Sequence, residues 1–317
     1  MAVDTSLRFL LSLCLIYIHE AVGHSEGKLS FLAVGDTGGI PFSPFFTPTE
    51  RRVATVMGKV AEEVDARFVL GLGDNFYFSG VRNARDPRFR LSFEDVFSAP
   101  ALHRATWCMI AGNHDYQGNV SAQIAYTQKS RRWYFPNFYY TFVGTIPKSR
   151  STVQVVMIDT MLLCFKKTPK SSSHWKWIKR TLKKSSANYL IVAGHHPVFS
   201  VGPHGSTKCL RSRLAPLLRK YKVSAYLSGH DHNLQHIKAT DSTVHYFVSG
   251  NGNFCSSRKT HVQTLPRNSL KSFYGSSGGF TLFEAATSAI TVTQVTDRGE
   301  RIHTAHLQPR STRTPVS

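Results

Sequence analysis

Arg67-Phe68-Val69-Leu70-Gly71-Leu72-Gly73-Asp74-Asn75-Phe76-Tyr77 reads as a short apolar strand that breaks at Gly73 and then presents oxygen-bearing side chains. Glycine at the strand end lets the backbone turn sharply and approach an ion closely. Four more stretches share this build. Ser30–Val34 runs into Gly35-Asp36-Thr37-Gly38, and Trp107–Ala111 into Gly112-Asn113-His114-Asp115. Tyr189–Ala193 runs into Gly194-His195-His196, and Ala225–Leu227 into Gly229-His230-Asp231-His232. One Asp or His after a strand is ordinarily a cap or a turn residue. Five such turns in one chain, all carrying metal-ligand side chains, are not explained as caps. Function in open α/β sheets gathers beyond the carboxyl ends of the strands. The set therefore reads as a two-metal site, with the rest of the chain as its scaffold.

Around these turns the pattern alternates strand and helix. Thr47-Pro48-Thr49-Glu50 is a helix start, with Thr47 as cap, Pro48 at the first helical position and Glu50 completing a capping box. Val53, Val56, Met57, Val60 and Val64 follow at helical spacing, so one face is buried. Short helices are expected near Phe89–Phe97 and Ser121–Gln128. Later come a strand at Val153–Ile158 and helices at His174–Lys184 and Leu210–Tyr221. Beyond His232 the pattern changes to strands alone: Leu234–Lys238, Val244–Val248, Phe280–Glu284, Ala289–Val295 and Arg301–Leu307, with a long polar loop at Ser256–Gly279. The fold class is α/β: two mixed sheets packed together and flanked by helices, in one domain.

The 317 residues allow one large domain or two small ones. Phe9–Ile18 is an apolar run too short to span a bilayer, followed by a small-residue cleavage site at Ala21-Val22-Gly23. Residues 1–23 are thus expected to be a signal peptide, 24–308 the folded domain and 309–317 a disordered tail. Secretion or lysosomal delivery follows, with no membrane span. That route permits one disulfide among Cys164, Cys209 and Cys255, whereas Cys108 reads as a buried apolar residue. Asn119-Val120-Ser121 is an N-glycosylation sequon.

The candidate donors fall into two kinds. Asp36, Asp74 and Tyr77 are hard anionic oxygens; Asn113, His195 and His230 are neutral when they ligate. Asp36, Asp74, Tyr77 and His232 together make a site of about three negative charges, suited to a trivalent ion. Asp74, Asn113, His195 and His230 make a less charged site suited to a divalent ion, with Asp74 able to bridge. The residues alone leave this partition open. His196, next to a candidate donor, reads as packing.

At these motifs the chain resembles the purple acid phosphatases of the animal tartrate-resistant type, within the calcineurin-like metallophosphoesterases. The likeness runs from Lys28 to Leu307 and includes Asp74-Asn75-Phe76-Tyr77-Phe78, Ser92-Phe93-Glu94-Asp95-Val96-Phe97 and Gly229-His230-Asp231-His232-Asn233-Leu234-Gln235. It implies an αββα sandwich and hydrolysis of phosphate monoesters by metal-activated hydroxide. It also implies a ferric ion on Asp36, Asp74, Tyr77 and His232. A divalent ion, iron foremost and otherwise zinc or manganese, would sit on Asp74, Asn113, His195 and His230. His114 and His204 fall where the family contacts phosphate or assists leaving-group protonation, and Cys164 and Cys209 where it forms a disulfide. Thr37 and His196 depart from the pattern, standing where mammalian members carry aromatic residues.

The net charge of +20 points to anionic partners: phosphorylated small molecules, nucleotides or phosphoproteins. Between Asp159 and Asp231 there is no acidic residue, while 14 Lys or Arg lie between Lys166 and Lys222. That surface allows polyanion binding without sequence-specific nucleic-acid recognition. The chain is expected to be a monomer. Two other readings compete: a phosphodiesterase or pyrophosphatase using two divalent ions, against which Tyr77 speaks, and a basic secreted polyanion-binding protein, against which the complete donor set speaks.

Overall fold

The computed structural model describes residues 27–166 and 168–311. The expected signal peptide and most of the expected tail lie outside these residues. Strands are numbered in chain order. The first sheet has the spatial order β14 (Arg301–Leu307), β13 (Ile290–Thr296), β12 (Gly279–Ala285), β1 (Leu29–Val34), β2 (Phe68–Gly71), β3 (Thr106–Met109) and β4 (Trp133–Tyr134). The second runs β11 (Leu270–Tyr274), β9 (Leu234–Ile237), β10 (His245–Ser249), β8 (Ala225–Ser228), β7 (Tyr189–Ala193), β6 (Thr152–Met157) and β5 (Tyr140–Thr145). Each sheet has a parallel centre, β1–β2–β3–β4 in one and β6–β7–β8–β10 in the other, extended by antiparallel strands. Two mixed seven-stranded sheets face each other, as the sequence predicts.

Strand alternation divides the core in two. On β7, Tyr189, Ile191 and Ala193 join Phe31, Phe68, Phe247 and Phe283 in the layer between the sheets. Leu190 and Val192 face the other way, under helices α5 (Pro169–Lys184) and α6 (Lys208–Lys220), where they meet Ile178, Leu182, Leu214 and Leu218. Buried on both faces, β7 needs an unbroken apolar run, and Tyr-Leu-Ile-Val-Ala supplies it. Helix α1 (Pro48–Glu63) begins with the capping box read from the sequence: Glu50 N–H donates to Thr47 Oγ1 at 3.1 Å, and Thr47 N–H to Glu50 Oε2 at 3.4 Å. Among the described residues no helix is long and apolar enough to cross a membrane.

Several elements depart from the sequence expectation. Helix α5 starts at Pro169, five residues before His174, because Pro169 suits a first turn that the poor helix formers Ser171–Ser173 conceal. The loop expected over Ser256–Gly279 contains β11, and the chain before Val153 contains β5; both are edge strands, and neither is buried along its whole length. Two short helices, α2 (Pro100–Arg104) and α4 (Thr160–Cys164), also escape the pattern. Within the stretch expected to be a tail, Arg310 is held: its backbone N–H donates to Asn188 O at 2.8 Å and its guanidinium to Ala187 O and Tyr221 O. The ordered chain therefore continues past Gln308. Cys164 and Cys209 form a disulfide joining α4 to α6, while Cys108 and Cys255 are free.

Candidate metal centre

All five turns meet at one end of the sandwich, where the carboxyl ends of β1, β2 and β3 oppose those of β7 and β8. The backbone is unusual there. Asp36, Asp74 and His230 have φ of 60°, 52° and 70°, left-handed values that non-glycine residues seldom adopt. Each follows a glycine, and neighbouring turns leave no room for other side chains. A methyl carbon on Gly73 would meet Gly112 N and His195 Nδ1, both at 2.8 Å. The turns also bond to one another. Asp36 N–H donates to Gly73 O at 2.9 Å, and Gly229 N–H to His195 O at 3.0 Å. From one sheet to the other, Gly35 N–H donates to Ser249 O at 2.8 Å.

The side chains converge accordingly. The Tyr77 hydroxyl donates to Asp36 Oδ1 at 3.0 Å and lies 3.1 Å from His232 Nε2. His195 Nε2 lies 3.0 Å from Asn113 Oδ1, 3.2 Å from His230 Nδ1 and 3.3 Å from Asp74 Oδ2. Asp36 Oδ2 accepts from His230 N–H, and Asp74 Oδ1 from His114 N–H, both at 2.8 Å. Asp36, Asp74 and His195 each offer a ligand atom within 4.8 Å of the others. Asp36, Asp74, Tyr77, Asn113, His195, His230 and His232 therefore form one cluster.

The chemistry of this set suits cations. Leu72 O lies 2.9 Å from His195 Nδ1 and can only accept, so the imidazole proton sits on that nitrogen. The Nε2 lone pair of the neutral ring then faces lone pairs of Asn113 and Asp74. A cation, or a second proton, reconciles them. Electrostatics agree. Burial alone would lower the His195 imidazole, but the Asp74 and Asp36 carboxylates outweigh it and raise it to about 9. Burial would likewise raise Asp74, yet His195 and His114 hold its carboxyl down at about 2. Burial, then Asp36 and Asp74, push the Tyr77 phenol well above its ordinary range, so only a strong positive charge can make it phenolate there.

His114 and His204 stand beside the cluster. The His114 ring centroid is 4.7 Å from that of Tyr77, and its Nδ1 donates to Phe78 O at 2.7 Å. His204 is exposed at the rim, its ring centroid 4.4 Å from that of His230. His196 is buried, as a packing role requires, with Nδ1 2.8 Å from Thr160 Oγ1. Yet it also offers a nitrogen within 4.8 Å of donors on His195 and His230.

Two carboxylates inside the quoted turns do work that the sequence does not reveal. Buried Asp115 accepts N–H groups from Asn75, Phe76 and Gly112 and the Gln123 amide, so it clamps the Gly73 and Gly112 turns together. Burial and the nearby Asp74 charge raise it to about 6. Buried Asp231 accepts His204 N–H at 2.9 Å and the Ser200 hydroxyl, fixing the loop that carries His204. The one available signal was their position: each directly follows a candidate histidine.

This sandwich, with donors of both sheets meeting at strand ends, defines a metallophosphoesterase, and residues 29–234 match the family described as calcineurin-like phosphoesterase. The chain is 42% identical to rabbit (Oryctolagus cuniculus) tartrate-resistant acid phosphatase type 5 over 299 residues, 89% of this chain and 92% of the rabbit protein. It is 33% identical to Arabidopsis thaliana purple acid phosphatase 17 over 268 residues, 80% of this chain and 77% of that one. In fold it matches GAP50, the anchor in the inner membrane complex of Plasmodium, with a TM-score of 0.80 at 24% identity, covering 90% of each chain. The chain belongs to the purple acid phosphatases, a family of acid phosphatase enzymes.

Proposed function

We propose that this chain hydrolyses phosphate monoesters at acidic pH, at a binuclear centre of one ferric and one divalent ion, the latter iron, zinc or manganese. Phosphorylated small molecules, nucleotides or phosphoproteins are its substrates, met outside the cell or in the lysosome. The observation that carries this reading is the convergence of seven donor side chains from five strand ends, with a buried phenol among carboxylates. Asp36, Asp74, Tyr77 and His232 are assigned to the ferric ion; Asp74, Asn113, His195 and His230 to the divalent one. Bound there, the ions supply Lewis acidity for activating water and neutralising phosphate charge.

The chain's own groups prepare that chemistry. Leu72 O fixes the His195 tautomer, as a hydrogen-bonded second partner does for metal-binding histidines generally. Asp36 and Asp74 each spend one oxygen on a backbone N–H, which fixes the carboxylate planes. With Nδ1 committed to Phe78 O, a protonated His114 offers Nε2–H as a donor to phosphate. His204, braced through Asp231, is assigned to the leaving-group side. An exposed Asn119 in the sequon accords with the secretory route.

Metal analysis, a visible spectrum and paired assays test this reading. Wild type is expected to contain iron, to absorb broadly in the visible, and to cleave a chromogenic monoester at acidic pH in preference to a diester. Tyr77→Phe is expected to abolish the absorption. A colourless wild type holding only divalent metal, or one preferring the diester, would overturn the assignment in favour of a divalent-metal phosphodiesterase.

A further inference from the structure

Helices α5 and α6 lie side by side over the outer face of the second sheet. Trp175, Ile178 and Leu182 of α5 share one apolar cluster with Leu210, Leu214 and Leu218 of α6. The Arg213 guanidinium sits over the Trp175 ring at 4.3 Å, bridging the two helices, and the Cys164–Cys209 disulfide pins the start of α6. Their solvent faces are therefore rigid, and they are uniformly basic. On α5, exposed Lys176, Lys179, Arg180, Lys183 and Lys184 recur at three- and four-residue spacing, one stripe opposite the buried face. On α6, Lys208, Arg211, Arg213, Arg219 and Lys220 are exposed too, grouped toward the two ends of the helix because Ala215 between them is buried. Among the described residues none of these cations is in an ion pair. A merely solubilising surface mixes both signs; this one excludes acids from Thr160 to His230.

We propose that the outer face of α5 and α6 is a docking surface for a linear sulfated polysaccharide. A row of cations at regular helical intervals on α5, flanked by the exposed bases of α6, fits a chain with repeating charge better than a single phosphate group. The exposed large apolar side chains of the described residues are Phe42, Phe78, Val143, Phe165, Val262 and Ile302, and none lies on either helix. The one aromatic flanking the stripe, half-buried Trp177, packs on Tyr139 and His174 rather than standing free as a stacking platform for single-stranded nucleic acid. The face also lacks the apolar wedge by which amphipathic helices enter a bilayer. Exposed Ser172, Ser173 and Ser212 add neutral hydrogen-bond partners beside these bases. Lys176, Lys179, Lys183 and Lys184 are not among the candidate metal donors, so occupation of the α5 face localises the enzyme without displacing any of them.

Heparin, titrated into the full chain across a salt series, tests this. The logarithm of the affinity is expected to fall linearly with the logarithm of salt concentration. Changing Lys176, Lys179, Lys183 and Lys184 to Gln is expected to weaken binding on the order of tenfold or more at about 0.15 M salt and to flatten that slope. Hydrolysis of a small chromogenic monoester is expected to stay unchanged. Four exposed bases elsewhere, Lys59, Lys129, Arg131 and Lys148, serve as the control set. Equal losses from both sets would reduce the effect to net charge and overturn the proposal. So would wild-type affinity in the α5 variant, or binding of duplex DNA or phosphatidylserine vesicles as tight as that of heparin.

Discussion

Replacing Gly112 with alanine tests the packing of the metal centre more sharply than removing a donor does. A methyl carbon there would lie closer than 3.0 Å to three atoms of Asp74: Oδ1, the backbone nitrogen and, at 2.8 Å, Cγ. One of the three is backbone, so rotation of the Asp74 side chain cannot clear the clash. The turn and the proposed bridging carboxylate must move together, by on the order of 1 Å. A displacement of that size can lower turnover about a hundredfold. Overpacking should cost about 1–3 kcal/mol of stability, a Tm loss of a few degrees, so the protein stays folded. Gly144→Ala is the control. It is also buried, but its methyl would meet the Leu29 Cδ2 at 2.7 Å, the end of a flexible side chain remote from the turns. Monoester hydrolysis per folded molecule, with metal content, is the assay. Gly112→Ala is expected to lose activity and metal, and Gly144→Ala neither. Full turnover and metal content in Gly112→Ala would refute the claim that Asp74 is held in place by this contact.

Three further outcomes are expected. His174 is buried with both ring nitrogens unpaired, and burial lowers it to about 3, so the unfolded chain takes up its proton first as pH falls. Its stabilisation is complete above the unfolded value near 6.5 and shrinks toward pH 3, by about 2 kcal/mol at pH 5. His174→Phe, which can keep the stack on Tyr139, should therefore raise Tm more at pH 5 than at pH 7; an equal gain at both would exclude the titration. Cys164→Ser with Cys209→Ser opens a loop with a sequence separation of 45 and should destabilise the protein by about 4 kcal/mol in denaturant unfolding. Asn113→Ala and His195→Ala should each weaken the divalent ion while the visible band remains, whereas His114→Ala should lower kcat with both metals kept; loss of metal from His114→Ala would make it a ligand.

The strand-end turns were legible because their signal is local: a glycine, then a donor, after a strand-forming run. The roles of Asp115 and Asp231 were not, because their partners lie elsewhere in the chain, at Asn75, Phe76 and Gln123 for one and at His204 for the other. Donor identity in a turn does not say whether a carboxylate faces an ion or a backbone N–H. His196 shows the same limit from the opposite side, since only the folded arrangement of His195 and His230 brings its nitrogen to the cluster. The omitted strands β5 and β11 lie on sheet edges, where one face meets solvent and the apolar signal fades. The assignment of donors to two different ions came from the family resemblance, because Asp74 is near both groups and charge alone does not divide them.

The cluster draws Asp36, Asp74, Tyr77 and Asn113 from one sheet and His195, His230 and His232 from the other. Neither half is a site. At this seam the sheets touch through short polar links, Gly35 N–H to Ser249 O and the Ser249 hydroxyl to Ala33 O at 3.0 Å, rather than through a covalent tie. Any ion that binds both halves therefore binds only the docked sandwich, and its affinity adds to the docking free energy by mass action. A metal bound there would thus act as a rivet between the two sheets. A slip between the sheets could leave every strand and helix intact and still dismantle the centre. Stripping the ions should accordingly loosen the seam first, which hydrogen exchange at the Gly35 and Gly229 amides would register before the strand interiors respond.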